Sequence, residues 1–452
     1  MLLPPIVREL YRRILEHGTA GVRRYYDALR RRGIEPVPDP SRGVMDLYAP
    51  NPVIVGGEII RLMTADANRF CAALRASVSD AQTLLNRAPA AIAQDYASLE
   101  VAQQILDSLR AAHPLTSLDA FLVEREGTLQ PAYLEWQTVG TYLTLGRWVV
   151  ESVASAWPEV KSYSSLTAWP HLSLGDLTER LRTFYLAGIE DDPRHGVVID
   201  YLPHQQPTCR EFYAIRELTG GVEQGMGIID PREIVRRERT FYYRRQDTWV
   251  PIRRVYSRLV YSDIVRLESE ASSDQLHTIH RFFQEAEQVT WINHPLHFFY
   301  GSKADFADFH QSNLSPFLPA TERITTELIK RQFSQRHGED RLVGFVLKPP
   351  DLQSGKDVTL DPRISDLKPG WILQRQIHPA ACHATLHGPR TPEIRIMCLP
   401  DEQGQLIAGL MFNRVKAAEV FLSNAGHTAK LNIPGTGEGY GIVVYEQHAL
   451  AK

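Results

Sequence analysis

The stretch Val343-Gly-Phe-Val-Leu347 is mostly apolar, and it leads into Lys348 and then Pro349 and Pro350. No other stretch constrains the chain as much. The pattern predicts a buried strand over 343–348 that delivers one cation to its end, where the prolines forbid further ladder pairing. An isolated buried ammonium is costly, so a strand ending this way calls for a partner to the charge. A bound phosphate is one such partner. A plain surface lysine at a strand end is the other reading, and the choice depends on what else the chain supplies.

With 452 residues the chain has room for two to three structural units, each with its own core. The formal net charge of −3 gives no basis for a nucleic-acid or membrane partner. Cys71, Cys209, Cys382 and Cys398 are far apart with no CxxC, as expected of reduced, mostly buried thiols. No apolar run suits a signal peptide or a membrane span, and a cytoplasmic protein is expected.

In chain order, residues 6–32 predict helix, interrupted near Gly18 and Gly21, and 57–112 predict further helices with cap signals at Asp80 and Ser98. Together they make a helical region over 1–115. Strands are expected at 120–123 and 131–138, separated by the turn Glu126-Gly127. The second strand places Glu135 and Gln137 on one face, about 7 Å apart, where a carboxylate and an amide suit a hard cation such as Mg2+. The same pair also fits a solvent-facing edge. Helices follow at 146–157 and 175–188, closing a unit over 116–195.

Residues 196–295 read as a small α/β domain. Strands at 196–200 and 225–229 flank a helix at 208–218, and a short helix at 231–235 follows. That alternation implies a small parallel sheet with a ligand crevice at its strand ends. Strands at 240–244 and 250–261 come next, the second delivering Arg258 and Tyr261, and then a helix at 273–287. In the last unit, 296–452, Gly301-Ser-Lys303 opens a helix and 320–336 is helical. Strands are expected at 343–348, 371–377, 393–399, 406–415 and 442–445. The overall class is α/β (α+β).

The C-terminal third supplies cations at strand ends and helix starts: Lys303, Lys348, Arg395, Arg414 and Lys416. It supplies the acids Asp351 and Glu393 as well. Such a set suits a nucleotide polyphosphate with Mg2+, where positioning and electrostatics do most of the work. There is no GxxxxGK[ST], and the GxGxG at 437–441 precedes a strand rather than a helix, so neither a P-loop nor a dinucleotide fingerprint is present. His378, Cys382, His383 and His387 crowd into ten residues. Their chemistry fits zinc or copper, but the spacing matches no standard finger, and a polar lid loop is the competing reading.

Taken in order, these motifs resemble the eukaryotic-type glutathione synthetases, circularly permuted members of the ATP-grasp ligases. Glu135-Trp-Gln137 resembles that family's metal strand, and Val255-Tyr-Ser-Arg258-Leu-Val-Tyr261 its substrate-binding segment. Gly301-Ser-Lys303 and Phe345-Val-Leu-Lys348-Pro resemble its two ATP lysines. Ile372-Leu-Gln374-Arg-Gln376-Ile377 resembles the hinge strand whose backbone reads adenine. Glu393 resembles the acid near the adenine or ribose, and Arg414-Val-Lys416-Ala the pair that holds phosphate and substrate. The resemblance covers roughly residues 115–445. It implies an ATP-grasp fold with an inserted parallel-sheet substrate domain and an N-terminal helical layer.

It further implies an ATP- and Mg2+-dependent carboxylate–amine ligase working through an acyl phosphate. Lys303 and Lys348 would serve the phosphates, with Arg395 among the ATP-binding residues, and Glu135, Gln137 and Asp351 would serve the metal. Arg258 and Arg414 would hold the carboxylate. A homodimer through the N-terminal helices is also implied. The sequence departs from the family where a glycine triplet is expected: Pro349-Pro-Asp351-Leu-Gln-Ser-Gly355-Lys356 stands there instead. The arginine that would hold the dipeptide falls at Ser117, two serines fall at Gly140 and Tyr142, and a polar pair falls at Thr208 and Phe212. These departures keep the substrates as an amino acid or small peptide but point away from γ-glutamylcysteine.

Overall fold

The computed structural model describes residues 5–34, 52–111, 113–138, 143–165, 172–206, 209–285, 289–335, 340–350, 358–385, 388–416 and 439–446. The chain is mixed α/β and is built around four sheets. The largest has eight strands, in the order Val53–Gly56, Gly439–Glu446, Leu406–Lys416, Gly388–Pro400, Thr116–Arg125 and Thr128–Gln137, with two short strands attached at its side. Its ladders are antiparallel except where Val53–Gly56 runs parallel to Gly439–Glu446.

Alternation along Gly388–Pro400 explains why this sheet is covered on both faces. Ile394, Ile396 and Cys398 join one core, and Met397 and Leu399 join the other. The first core receives helix Gly57–Ser77, whose buried Ile59, Ile60, Met63, Ala67, Phe70 and Leu74 recur at helical spacing. The second receives helix Leu143–Ala156 through Leu145, Trp148, Val149 and Val153. The N-terminal helices Pro5–Glu16 and Gly18–Arg30 bury Val7, Leu10, Tyr25 and Leu29 in this same second core. The expected break near Gly18 is present; Gly18 has a φ of +50°.

Between Asp119 and Ala120 the pairing with Thr128–Gln137 slips by one residue. Asp119 faces Glu135, and Ala120 faces Tyr133. Leu134 is therefore the extra residue of a β-bulge. The bulge switches the side-chain parity, so Tyr133 and Trp136 both enter the first core while Glu135 and Gln137 meet on the opposite face.

The expected small parallel sheet is present, in the order Thr290–Asn293, Arg254–Ser257, Gly196–Ile199, Gly227–Ile229. Thr290–Asn293 is a strand the sequence reading did not anticipate. The single strand expected over 250–261 is two: Thr248–Pro251 ends a three-stranded antiparallel sheet, and Arg254–Ser257 enters the parallel one. Pro251 has no N–H for a continuing ladder. Tyr261 opens helix Tyr261–Glu270 instead of closing a strand.

A four-stranded antiparallel sheet follows, in the order Thr321–Arg323, Ile372–Arg375, Phe345–Lys348, Thr359–Leu360. The helix expected from 320 begins only at Thr326, because Thr321–Arg323 pairs with Ile372–Arg375. The strand before Lys348 starts at Phe345; Val343 is exposed and Gly344 has a φ of +79°. Among the described residues no helix is long and apolar enough to cross a membrane, and no disulfide joins the four cysteines.

Candidate functional site

Lys348 ends its strand where the four-stranded sheet meets the eight-stranded one. Its Nζ donates to Leu134 O at 3.0 Å and to Gln374 Oε1 at 2.6 Å. The first acceptor is the carbonyl of the bulge residue, so the irregularity in the pairing is what offers the lysine a ligand. Gln374 is buried and its amide donates to Thr321 Oγ1 at 3.2 Å, which fixes it as a positioning group for the lysine. Both acceptors are neutral. Burial, and then repulsion from Lys303, lower the Lys348 pKa to about 8, with Glu135, Glu393 and Asp119 pulling the other way.

Lys303 reaches the same place from the segment before helix Asp305–Gln311, with its Nζ 3.0 Å from Glu135 Oε2. Two features hold that segment. Ser302 N donates to the buried Asp305 at 2.7 Å, and Asp305 pairs with Arg87. Gly301 lies so near the end of strand Thr128–Gln137 that an added Cβ would stand 2.6 Å from Thr138 Cγ2 and 2.8 Å from Trp136 Nε1.

On the eight-stranded sheet, Asp119 lies between Glu135 on one neighbouring strand and Arg395 on the other. Arg395 grips both Asp119 oxygens, Nε to Oδ1 at 2.5 Å and Nη2 to Oδ2 at 2.6 Å, and its Nη2 lies 3.6 Å from Glu135 Oε1. Gln137 Nε2 donates to Glu135 Oε1 at 2.6 Å. Asp119 is 1% exposed; burial raises its pKa against the pull of Arg395. Burial opposes the charge on Arg395, but Asp119, Glu135 and Glu393 outweigh it and hold the guanidinium charged. Glu393 is buried two positions from Arg395 and stands opposite Arg414 in register; Lys416 stands opposite Thr391. The side chains of Arg414 and Lys416 lie outside the described residues.

The structure thus brings together Glu135, Gln137, Lys303, Lys348, Gln374, Glu393 and Arg395. It adds Asp119, which sequence reasoning missed. The signal was available: a lone carboxylate inside the apolar run Leu118-Asp-Ala-Phe-Leu-Val123 demands a buried cationic partner. Gln376 and Ile377 lie just beyond strand Ile372–Arg375, and the Gln376 N–H is already spent on Gly344 O at 2.8 Å.

Arg258 belongs to a second cluster at the C-terminal edge of the parallel sheet. Its amide donates to Ile199 O at 2.8 Å, its Nη1 lies 3.4 Å from Tyr256 Oη, and its charge acts on the buried Asp200 and Glu211. Glu211 accepts from the amides of Thr144 at 3.1 Å and Leu145 at 2.6 Å, capping helix Leu143–Ala156. Phe212, expected among the substrate contacts, lies in the interior. It is fully buried in the second core. Tyr261 is half-buried against the first core. Gly140, Tyr142, Thr208 and Asp351 lie outside the described residues.

The donor set can be tested against Mg2+. Among the described residues, Glu135 is engaged by Lys303, Arg395 and Gln137, and Asp119 by Arg395. No three His, Cys, Asp or Glu side chains among them form a group that could hold a metal. These carboxylates therefore do not fit a divalent ion as they stand. The histidine-rich segment divides in a similar way. His378 is exposed, Cys382 and His383 are buried, and His383 Nδ1 lies 3.2 Å from Tyr11 Oη in a packing contact; His387 lies outside the described residues.

No protein-family model matches the chain, and no curated protein matches it. Among solved structures it is similar to the apo form of a glutathione synthetase-like effector from Globodera pallida. The TM-score is 0.47 and the identity 12%, over 81% of this chain and 87% of that one.

Proposed function

We propose that the chain binds a nucleoside triphosphate, ATP, between the four-stranded and eight-stranded sheets, with Lys348 and Lys303 facing its phosphates. The observation that carries this reading is Lys348. Among the described residues, this half-buried ammonium donates to a carbonyl and an amide oxygen, both neutral, and pairs with no carboxylate at contact distance. A polyphosphate supplies what those neutral acceptors do not, through charge-assisted hydrogen bonds. An adenine edge at the hinge would be read from Ile377, since the Gln376 N–H is in use.

The order of the motifs supports a carboxylate–amine ligase acting on an amino acid or small peptide. A substrate carboxylate oxygen attacks the γ-phosphorus and ADP leaves. An amine then attacks the acyl phosphate, and inorganic phosphate leaves as the amide forms and the amine gives up its proton. Arg258 and Arg414 are the proposed carboxylate holders. A second reading, a nucleotide-binding protein without ligase turnover, is favoured by one observation: fixed cations already neutralise Asp119 and Glu135.

Mixtures of ATP with amino acids and dipeptides, assayed with and without Mg2+ for ADP and for a new amide, separate the two. ADP with a new amide supports the ligase. Tight ATP binding with no turnover in any mixture favours the second reading.

A further inference from the structure

Three carboxylates, Asp119, Glu135 and Glu393, share one face of the eight-stranded sheet, and in water-poor surroundings such a set demands positive charge. Two sources could supply it: a divalent ion or a side chain. Arg395 comes from the strand beside Asp119 and donates to both Asp119 oxygens at 2.5 and 2.6 Å. It lies 3.6 Å from Glu135, and Glu393 adds to the negative field it feels. Lys303 takes the other Glu135 oxygen at 3.0 Å. Asp119 and Glu135 therefore each have a fixed, non-exchangeable cation. Among the described residues, Arg395 and Lys303 thus meet Asp119 and Glu135 charge for charge.

We infer that the Arg395 guanidinium stands in for a divalent cation in this acid cluster, so that the site takes a polyphosphate without needing Mg2+ at Glu135. The inference rests on the nucleotide reading for its ligand, but not for its geometry. An arginine in this role differs from a metal in two respects. It donates planar N–H bonds and cannot bridge two phosphate oxygens by coordination. It is also present at every Mg2+ concentration. The expected consequence is nucleotide capture that ignores the metal supply.

Two calorimetric titrations of the full chain test it. In the first, Mn2+ alone is added to the wild type and to Glu135→Gln. No binding below millimolar Mn2+ is expected for either. One Mn2+ bound per chain in the wild type, and lost in Glu135→Gln, overturns the inference. In the second, ATP is added in EDTA and then with excess Mg2+. The two dissociation constants should agree within about threefold. A gain of more than tenfold with Mg2+, abolished by Glu135→Gln, also overturns it. Arg395→Gln should create a dependence on Mg2+ where the wild type has none. If that variant does not fold, the wild-type and Glu135→Gln titrations decide the matter. Absence of ATP binding under both conditions would sink the nucleotide reading and leave the Mn2+ result to judge the role of Arg395.

Discussion

At the scale of single residues, the account depends on how Lys348 is held. Its folded-state pKa is lowered to about 8, so its charge costs the unliganded protein stability below that pH. The cost is relieved as pH rises from 8 toward the ordinary lysine value. A bound polyphosphate reverses the balance by favouring the ammonium. ATP affinity should therefore be flat from pH 6.5 to 7.5 and weaken above pH 8, by up to about tenfold per unit. Calorimetry in two buffers of different ionisation enthalpy should detect proton uptake on binding at pH 8. Affinity independent of pH up to 9.5 would mean that Lys348 does not face the ligand. Lys348 was legible in the sequence because Pro349 and Pro350 mark the strand end that exposes it. Its two acceptors were not: one is the carbonyl of Leu134, released by a register slip that no local pattern in 128–137 encodes. Asp119 and Arg395 each looked ordinary because their partnership spans 276 residues.

At the scale of elements, the segment that carries Lys303 is set by close packing. An alanine at position 301 would press its methyl toward Thr138, Trp136 and Leu74, with Leu74 Cδ1 2.9 Å from the added Cβ. Gly301→Ala should cost about 1–3 kcal/mol of stability, read by urea unfolding. It should also weaken ATP binding several-fold by displacing Lys303 from Glu135. Unchanged stability and affinity would show that the segment can shift freely. Periodicity made most of the helices legible, and Asp80 caps its helix through the Thr83 amide at 2.8 Å as its type suggested. Strand Val53–Gly56 was missed because four residues joined to a strand nearly 400 positions away give no local signal. The split at 251–254 was missed because an apolar run does not reveal that its two halves join different sheets.

At the scale of the whole molecule, the eight-stranded sheet gathers residues 53–56, 116–125, 128–137, 164–165, 383–385, 388–400, 406–416 and 439–446 into one layer. One face of that layer carries the acid cluster, and Lys348 of the four-stranded antiparallel sheet reaches it through the Leu134 carbonyl. Motif order anticipated Glu135, Gln137, Lys303, Lys348, Gln374, Glu393 and Arg395 there, but not Asp119. It could not reveal that Glu135, expected to hold a metal, is met by Lys303 and Arg395, because that pairing depends on cross-strand register. If these sheets hold a nucleotide at Lys348, calorimetric titration of ATP into the wild type and Lys348→Met at pH 7 will show it. Losing one charge-assisted hydrogen-bond donor should weaken binding by about 10- to 100-fold, with the thermal unfolding transition still cooperative. Equal affinity in the two proteins, or no ATP binding by a folded wild type, would contradict it.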